Sequence, residues 1–343
     1  MKLVSRIMLA IVASLLLGAL AHAQQSPTEA QQQRQITQPG NNAPVWGQVR
    51  KEGQEHYTSI KGRETGVLVQ SAGETWRQIR NGPVTFYGGW LVVLVGLAIL
   101  AFYFSKGPVK LHDRPTGRMI QRFSSFEQVV HWCTAISFVV LGLSGLIMLF
   151  GKHVLLPVFG YTLFAWLAAL SKNLHNFVGP FFIVSVLAMI LIWIRDNLPR
   201  AYDWQWFSGA IAYFTRGKHI PSGRFNAGEK GWFWFGVVGL SIVVAWSGLI
   251  LLFPNFDQTR AVMQEAWIWH VVAAIIYIAM SLGHIYMGTV GVEGAYGNMR
   301  TGYTDETWAK EHHSIWYEEV RSGRQATAGG AVPAGAPHMK ERT

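Results

Sequence analysis

The stretch that decides the fold is HVVAAIIYIAMSLGH, residues 270–284, an apolar segment with a histidine at each end. The two histidines are 14 residues apart, which on a helix is 1400°, within about 40° of four full turns. His270 and His284 therefore face the same side of one helix. At about 1.5 Å per residue they are separated by about 21 Å along the axis, which places one near each surface of a roughly 30 Å hydrocarbon core. One helix thus offers two histidines at two membrane depths.

The composition is typical of a membrane protein. Half of the 343 residues are hydrophobic and only 14% are charged, which excludes an ordinary soluble domain. The net charge of +10 could indicate a nucleic-acid partner, but the basic residues cluster at the ends of apolar segments, where they orient helices, so no nucleic acid is expected. The single Cys133 excludes a disulfide framework and a covalent c-type haem motif.

Five apolar runs are long enough to cross a bilayer as helices, which predicts an all-α integral membrane bundle. They are residues 84–104, 129–150, 174–194, 232–253 and 266–290. Basic residues concentrate between the first and second runs and between the third and fourth, which assigns those two loops to the cytoplasm. The chain is thus predicted to be a multi-pass protein of the bacterial inner membrane, with a periplasmic mature N-terminus and a cytoplasmic C-terminus.

The chain before the first run contains a targeting segment. Lys2 and Arg6 precede an apolar stretch, and Ala21-His22-Ala23 follows it, which predicts a signal peptide over residues 1–23. The alternative, an uncleaved anchor helix, is disfavoured because the apolar stretch is shorter than the roughly 20 residues that a span needs. Four regions are predicted after it. They are a polar extracytoplasmic segment (24–83), an additional transmembrane helix (84–104), a four-helix dihaem domain (105–290) and a cytoplasmic tail (291–343).

Four histidines lie in or beside the last four apolar runs: His131, His175, His270 and His284. An ionisable group at membrane depth usually has a partner or a function, although for any single histidine the alternative is a hydrogen bond to a neighbouring helix. The predicted topology sets His131, near the cytoplasmic start of its helix, level with His284. It sets His175, at the outer start of its helix, level with His270. Two pairs predict two b-type haems that transfer electrons without binding oxygen, because bis-histidine ligation leaves no open coordination site.

A polar segment, Asn226-Ala227-Gly228-Glu229-Lys230, precedes the fourth run. One interpretation is a helix cap, because Asn226 is followed three residues later by Glu229. The other is a polar rim, including Asn226 and Gly228, that binds a quinone carbonyl beside the inner haem. The sequence leaves both interpretations open.

Several motifs occur in one order between residues 122 and 320. They are Arg122-Phe123 leading to His131-Trp132, Arg195-Asp196-Asn197-Leu198-Pro199, Arg224-Phe225 leading into the polar segment, His284-Ile285-Tyr286-Met287, and Trp308-Ala309-Lys310-Glu311-His312-His313. In these motifs the chain resembles the gamma subunit, a dihaem cytochrome b, of membrane-bound formate dehydrogenases. The signal peptide, the polar segment and the helix at 84–104 have no counterpart in the shorter members of that family.

The resemblance implies a place in an electron-transfer chain. His175 and His270 would ligate an outer haem, and His131 and His284 an inner haem. Asn226 and His284 would hold a quinone, either menaquinone or ubiquinone. The implied partners are an iron–sulfur subunit and a molybdenum or tungsten catalytic subunit that oxidises formate, so this chain itself would contain no catalytic residues.

Two alternative functions remain open. The chain could be the cytochrome b of a membrane hydrogenase or of a sulfur-compound reductase, because these share the four-helix, dihaem plan. In a different class, a transporter or a haem-free membrane anchor also tolerates intramembrane histidines. A reduced-minus-oxidised visible spectrum separates the second class from the first.

Overall fold

The computed structural model describes residues 72–216, 220–254 and 256–323. The predicted signal peptide, most of the polar segment and the end of the tail lie outside these residues. Eleven α-helices and two short strands are present in the described part of the chain. The helices are α1 (Gly73–Ile79), α2 (Thr85–Lys106), α3 (Ser125–Val154), α4 (Leu156–Trp193), α5 (Asp203–Arg216), α6 (Ala227–Gly231), α7 (Ser241–Leu252), α8 (Arg260–Tyr286), α9 (Ala295–Thr301), α10 (Glu306–His312) and α11 (Ser314–Arg321).

Five continuous helical stretches are long and apolar enough to cross a membrane, which confirms the predicted membrane bundle. Three of them contain a π-helical segment, at Arg80–Val84, Trp232–Leu240 and Met287–Gly291. The stretches are Gly73–Lys106, Ser125–Val154, Leu156–Trp193, Ala227–Leu252 and Arg260–Gly291. The first stretch consists of α1 and α2, and the fourth consists of α6 and α7. The second, third and fifth stretches contain α3, α4 and α8, in that order.

Two helical stretches begin well before their apolar runs. The first begins at Gly73, and its Pro83 is accommodated in the π-helical segment. Helix α4 begins at Leu156 and is kinked at Gly160, which has φ 72°. The prediction that His175 lies at the start of its helix is therefore wrong. Hydropathy falls at Ser171, Lys172 and Asn173, but these residues can continue a helix although they disfavour lipid, so the apolar run begins later than the helix does.

The bundle places α8 beside α2 and α7, and packs α3 against α4. Between the levels of His270 and His284, the centre is filled by aromatic rings. Tyr277 lies midway between the two histidines, with its ring centroid 4.6 Å from that of Phe138 and 5.6 Å from that of Trp232. Its hydroxyl shares a 3.0 Å hydrogen bond with Ser241. This layer packs aromatic side chains against one another between the two histidine levels.

Three described connections lie at one end of the bundle, which we call the basic end. They join α2 to α3, α4 to α6, and α8 to α11. Strand β1 (Met119–Gln121) pairs antiparallel with β2 (Tyr303–Asp305), with Ile120 opposite Thr304. Val109 bridges Val292, and the Trp308 indole donates to the Glu293 carbonyl over 3.0 Å. The segment after α8 thus folds back on the loop before α3 and closes this end.

Candidate haem and quinone sites

The four intramembrane histidines form two pairs. The ring centroids of His175 and His270 are 6.0 Å apart, and those of His131 and His284 are 6.4 Å apart. Two imidazoles that ligate one iron from opposite sides stand with their centroids about 6 Å apart, because each metal–nitrogen bond is about 2 Å. Helix α8 contributes one histidine to each pair. The geometry therefore fits two bis-histidine haem sites, with α8 common to both.

Hydrogen bonds orient the rings of the pair far from the basic end. His270 Nδ1 lies 3.1 Å from the Val244 carbonyl and 3.1 Å from Ser247 Oγ. A carbonyl only accepts, so Nδ1 carries the proton and Nε2 keeps the lone pair that an iron needs. His175 Nδ1 lies 2.9 Å from Ser144 Oγ, whose hydroxyl donates to the Leu141 carbonyl. That serine accepts from His175, and Nε2 of this ring is also left as a ligand.

Small residues stand where these two rings pack. A Cβ on Gly248 would lie 3.2 Å from His270 Cε1, and one on Gly145 would lie 3.5 Å from His175 Cε1. A Cβ on Gly179, one turn after His175, would meet nothing within 4 Å. Gly248 was missed, because its significance depends on the position of a histidine on another helix.

The pair nearer the basic end has a different environment. The indole of Trp232 stacks on His284, with 5.0 Å between ring centroids and an interplanar angle of 14°. His131 lies against Trp132 and Trp193, at centroid distances of 5.4 and 6.3 Å. Its buried Nδ1 has no hydrogen-bond partner among the residues that the structure describes. Aromatic walls, rather than serine hydroxyls, therefore fix this pair.

The polar segment of residues 226–230 forms the predicted helix cap. Asn226 Oδ1 accepts from the Glu229 amide over 2.9 Å, and Glu229 Oε2 accepts from the Asn226 amide over 2.8 Å. The cap uses only the oxygen of the Asn226 side chain, so its amide nitrogen remains a donor. Gly228 allows close packing, since a Cβ there would lie 2.6 Å from the Trp206 ring. Trp232, one turn after Gly228, joins this segment to His284.

Charged side chains that the sequence assigned only to topology form a network at the basic end. Arg122 is 3% exposed and donates to the Arg224 carbonyl over 2.6 Å and to Glu229 over 3.2 Å. Arg224 pairs with Glu127 at 2.7 Å, and Glu127 also accepts from the Trp193 indole over 2.8 Å. Burial lowers the pKa of Arg122, whereas Glu229 raises it. The network ties the loop before α3 to the loop before α6.

The adjacent His312 and His313 are buried in this network. His313 Nδ1 donates to the Gly223 carbonyl over 2.7 Å, and its Nε2 lies 4.0 Å from Glu229. Burial, aided by the charge of Arg122, holds the pKa of His313 well below its usual value. The hydroxyl of Tyr213 lies 3.5 Å from His312 Nδ1. The structure therefore gives His313 a hydrogen-bond partner in the loop before α6.

Comparison with known proteins identifies the family of the chain. Residues 122–302, more than half of the chain, match the prokaryotic cytochrome b561 family. The chain therefore belongs to that family of helical membrane cytochromes, which implies haem b.

Within the family, the chain is similar to cytochrome b subunits of formate dehydrogenases. It is 30% identical over 212 residues to the Escherichia coli K12 formate dehydrogenase cytochrome b556(fdo) subunit, covering 61% of this chain and 97% of the relative. The nitrate-inducible cytochrome b556(Fdn) subunit of the same organism is 29% identical over 59% of this chain and 92% of its own length. The cytochrome b556 subunit of Haemophilus influenzae formate dehydrogenase is 26% identical over 58% and 83%. These matches confirm the resemblance drawn from the motifs.

Proposed function

We propose that this chain is the membrane anchor and electron-transfer subunit of a formate dehydrogenase, and that it passes electrons through two haems b to a quinone. The observation that carries the proposal is the presence of two histidine pairs that share helix α8, with centroid distances of 6.0 and 6.4 Å. Residues 122–302, which match the cytochrome b family, contain all four histidines.

The chain's own residues prepare each ligand. When bound, a bis-histidine haem exchanges one electron at a time and leaves no iron site open to oxygen. Ser144, Ser247 and the Val244 carbonyl hold Nδ1 of the far pair, so that Nε2 of each ring would be left to bind the iron of a haem. The aromatic layer around Tyr277 excludes water between the two levels. Low polarity around both sites limits the reorganisation that accompanies each electron transfer.

The quinone site is proposed at the basic end, between Asn226 and His284. The amide nitrogen of Asn226 would donate to a quinone carbonyl, stabilising the negative charge that develops on reduction. Reduction to the quinol consumes two electrons and two protons, and the polar network at this end is open to the aqueous phase through Glu229, whose side chain is 36% exposed. The role of Gly228 in this site would be indirect, through the packing of Trp206 against the segment.

The proposed orientation puts the basic end in the cytoplasm of a bacterium and the pair formed by His175 and His270 near the periplasmic surface. An iron–sulfur subunit would then deliver electrons at the periplasmic side, from a molybdenum or tungsten subunit that oxidises formate. The loop charges support this direction, because basic loops are retained in the cytoplasm.

The central test is the haem content of histidine variants. His270→Ala should lower the haem content of the purified protein from two per chain to one and leave the spectrum of the remaining haem intact. The matched control is His153→Ala, because His153 lies exposed at the end of α3. Two haems per chain in the His270 variant, or a haem-free wild-type protein, would overturn the ligand assignment.

The nature of the partner is tested separately. Purification of the intact complex from its own membrane, followed by metal analysis and assay with formate, should give molybdenum or tungsten and formate-dependent reduction of both haems. Reduction by hydrogen and not by formate would instead establish the hydrogenase alternative, with the haem assignment unchanged.

A further inference from the structure

Helix α5 has an inner face that attaches it to the ends of two spans. Trp206 and Tyr213 are 8% exposed and cluster with Ile220 and with Ala227 of α6. Met287, at the end of α8, packs against the same cluster. Helix α5 therefore lies across the basic end of the fourth and fifth spans rather than apart from the membrane domain.

Polar and steric contacts fix this position. Lys230 Nζ lies 2.8 and 3.0 Å from the two carboxylate oxygens of Asp203, and both side chains are buried. Gly228 lets the Trp206 ring approach the backbone of α6 closely, since a Cβ there would lie 2.6 Å from the ring. These contacts place the first turn of α5 level with the first turn of the fourth span.

The opposite side of α5 carries a stripe of large, exposed apolar side chains. Trp204, Phe207 and Ile211 are 78%, 54% and 80% exposed. At 100° per residue, these positions fall within about 60° of one another around the helix. Gln205, which is also exposed, lies about 100° from Trp204 on the other side of the stripe. The exposed surface of α5 thus has an apolar and a polar half.

The surroundings of the stripe match a lipid surface. Phe235, on the third turn of the fourth span, is also 54% exposed, which is typical of an apolar side chain on the outer surface of a membrane span. Arg195, Arg200 and Arg216 are exposed in and beside the connection that carries α5. Amphipathic helices with a tryptophan-containing apolar face and flanking arginines lie in the membrane interface, where the arginines meet anionic headgroups.

We propose that α5 lies in the basic-end interface of the bilayer, with Trp204, Phe207 and Ile211 inserted among the acyl chains and the arginines at the level of anionic lipid headgroups. The inference needs only the membrane domain itself and is independent of the haem and quinone assignments. It makes the segment between α4 and α6 a lipid-binding element rather than a free cytoplasmic loop.

The test is a depth measurement by spin labelling of the full chain. Cys133→Ser provides a background without cysteine, and single cysteines are then introduced as Trp204→Cys, Phe207→Cys, Ile211→Cys and, as the matched control, Gln205→Cys. Each labelled protein is reconstituted with its co-purified subunits into liposomes that contain phosphatidylglycerol. Power-saturation spectra are recorded with oxygen, which concentrates in the bilayer, and with a water-soluble nickel chelate.

Labels at the three stripe positions should be several-fold more accessible to oxygen than to nickel, and the label at residue 205 should show the reverse ratio. Stronger relaxation by nickel at the stripe would put α5 in water and overturn the proposal. Protection from both reagents would also overturn it, because the stripe would then be covered by a protein, either a partner subunit or a second copy of the chain. Elution as a single species checks that each variant is folded.

Discussion

The buried ion pair beneath α5 permits a quantitative prediction. In Asp203→Leu, the ammonium of Lys230 would stay 5% exposed and lose both carboxylate contacts, at 2.8 and 3.0 Å. Breaking such a pair by removing one partner costs about 3–5 kcal/mol. The Tyr202 ring, whose centroid is 4.9 Å from Lys230 Nζ, contacts the ammonium in both proteins and therefore does not offset this cost. We therefore expect a loss of about 3–5 kcal/mol in the free energy of opening α5.

Amide hydrogen exchange measures this opening directly. Because about 1.4 kcal/mol corresponds to a factor of ten, a loss of about 3–5 kcal/mol predicts exchange of the α5 amides that is faster by more than about 100-fold. The amides of α3 and α8 should keep their wild-type rates, since the pair does not contact them. Mass spectrometry of the detergent-purified protein at constant pH resolves these segments.

Two further variants test whether the unpaired charge of Lys230 causes the faster exchange of the α5 amides. The double variant Asp203→Leu with Lys230→Met removes both charges and should regain most of the lost protection. Glu74→Gln breaks the exposed pair with Arg77, whose side chains are 57% and 62% exposed, and should leave exchange unchanged. An Asp203 variant with wild-type exchange, or a double variant as labile as the single one, would refute the reasoning.

Three other predictions concern the quinone site, the topology and the pH dependence. Asn226→Asp should preserve the cap and both haem spectra, because Asp is an equally good N-cap. It should nevertheless impair quinone reduction, because it replaces the amide donor with a negative charge. Wild-type quinone turnover in this variant would show that Asn226 acts only as a helix cap. A reporter that is active only in the cytoplasm, fused after Thr343, should be active, and a stable but inactive fusion would invert the proposed orientation. The pKa of His313 is lowered in the folded chain, so protonation of the unfolded chain below about pH 6.5 should weaken the native state. His313→Gln should therefore reduce the loss of stability between pH 7 and 5, measured by thermal unfolding. If the variant kept the wild-type dependence of stability on pH, His313 would be excluded as a cause of that dependence.

The membrane bundle and the pairing of its histidines could be predicted because both follow from regular periods. Hydropathy indicates which residues of each span lie in the hydrocarbon core. Residues 14 apart lie on almost the same face of a helix, so His270 and His284 could be placed without tertiary information. The capping box at Asn226 was equally local, since it joins residues only three apart.

The features that the sequence could not supply depend on contacts between distant segments. The burial of Arg122 and Arg224 was missed because loop charge was interpreted as topology, and nothing local distinguishes an arginine that faces water from one that pairs with Glu127 across the basic end. Hydropathy also misplaced the start of α4, because polar residues such as Lys172 can continue a helix beyond the hydrocarbon core. Ser144 and Ser247 looked like ordinary small residues of membrane helices.

The additional helix α2 changes how the bundle responds to stretching or thinning of the bilayer. Gly88 lies against Ile275, Trp76 of α1 contacts Trp267, and Tyr103 lies beside Tyr286, so the first span, α1 with α2, follows α8 from one end to the other. The family match begins at residue 122, after this helix. Without it, that flank of α8 would be open to acyl chains. With it, the helix that carries one histidine of each pair is clamped between protein on both sides. Stretching or thinning of the membrane should then deform the outer faces of α3 and α4 before it alters the spacing of the two histidine levels.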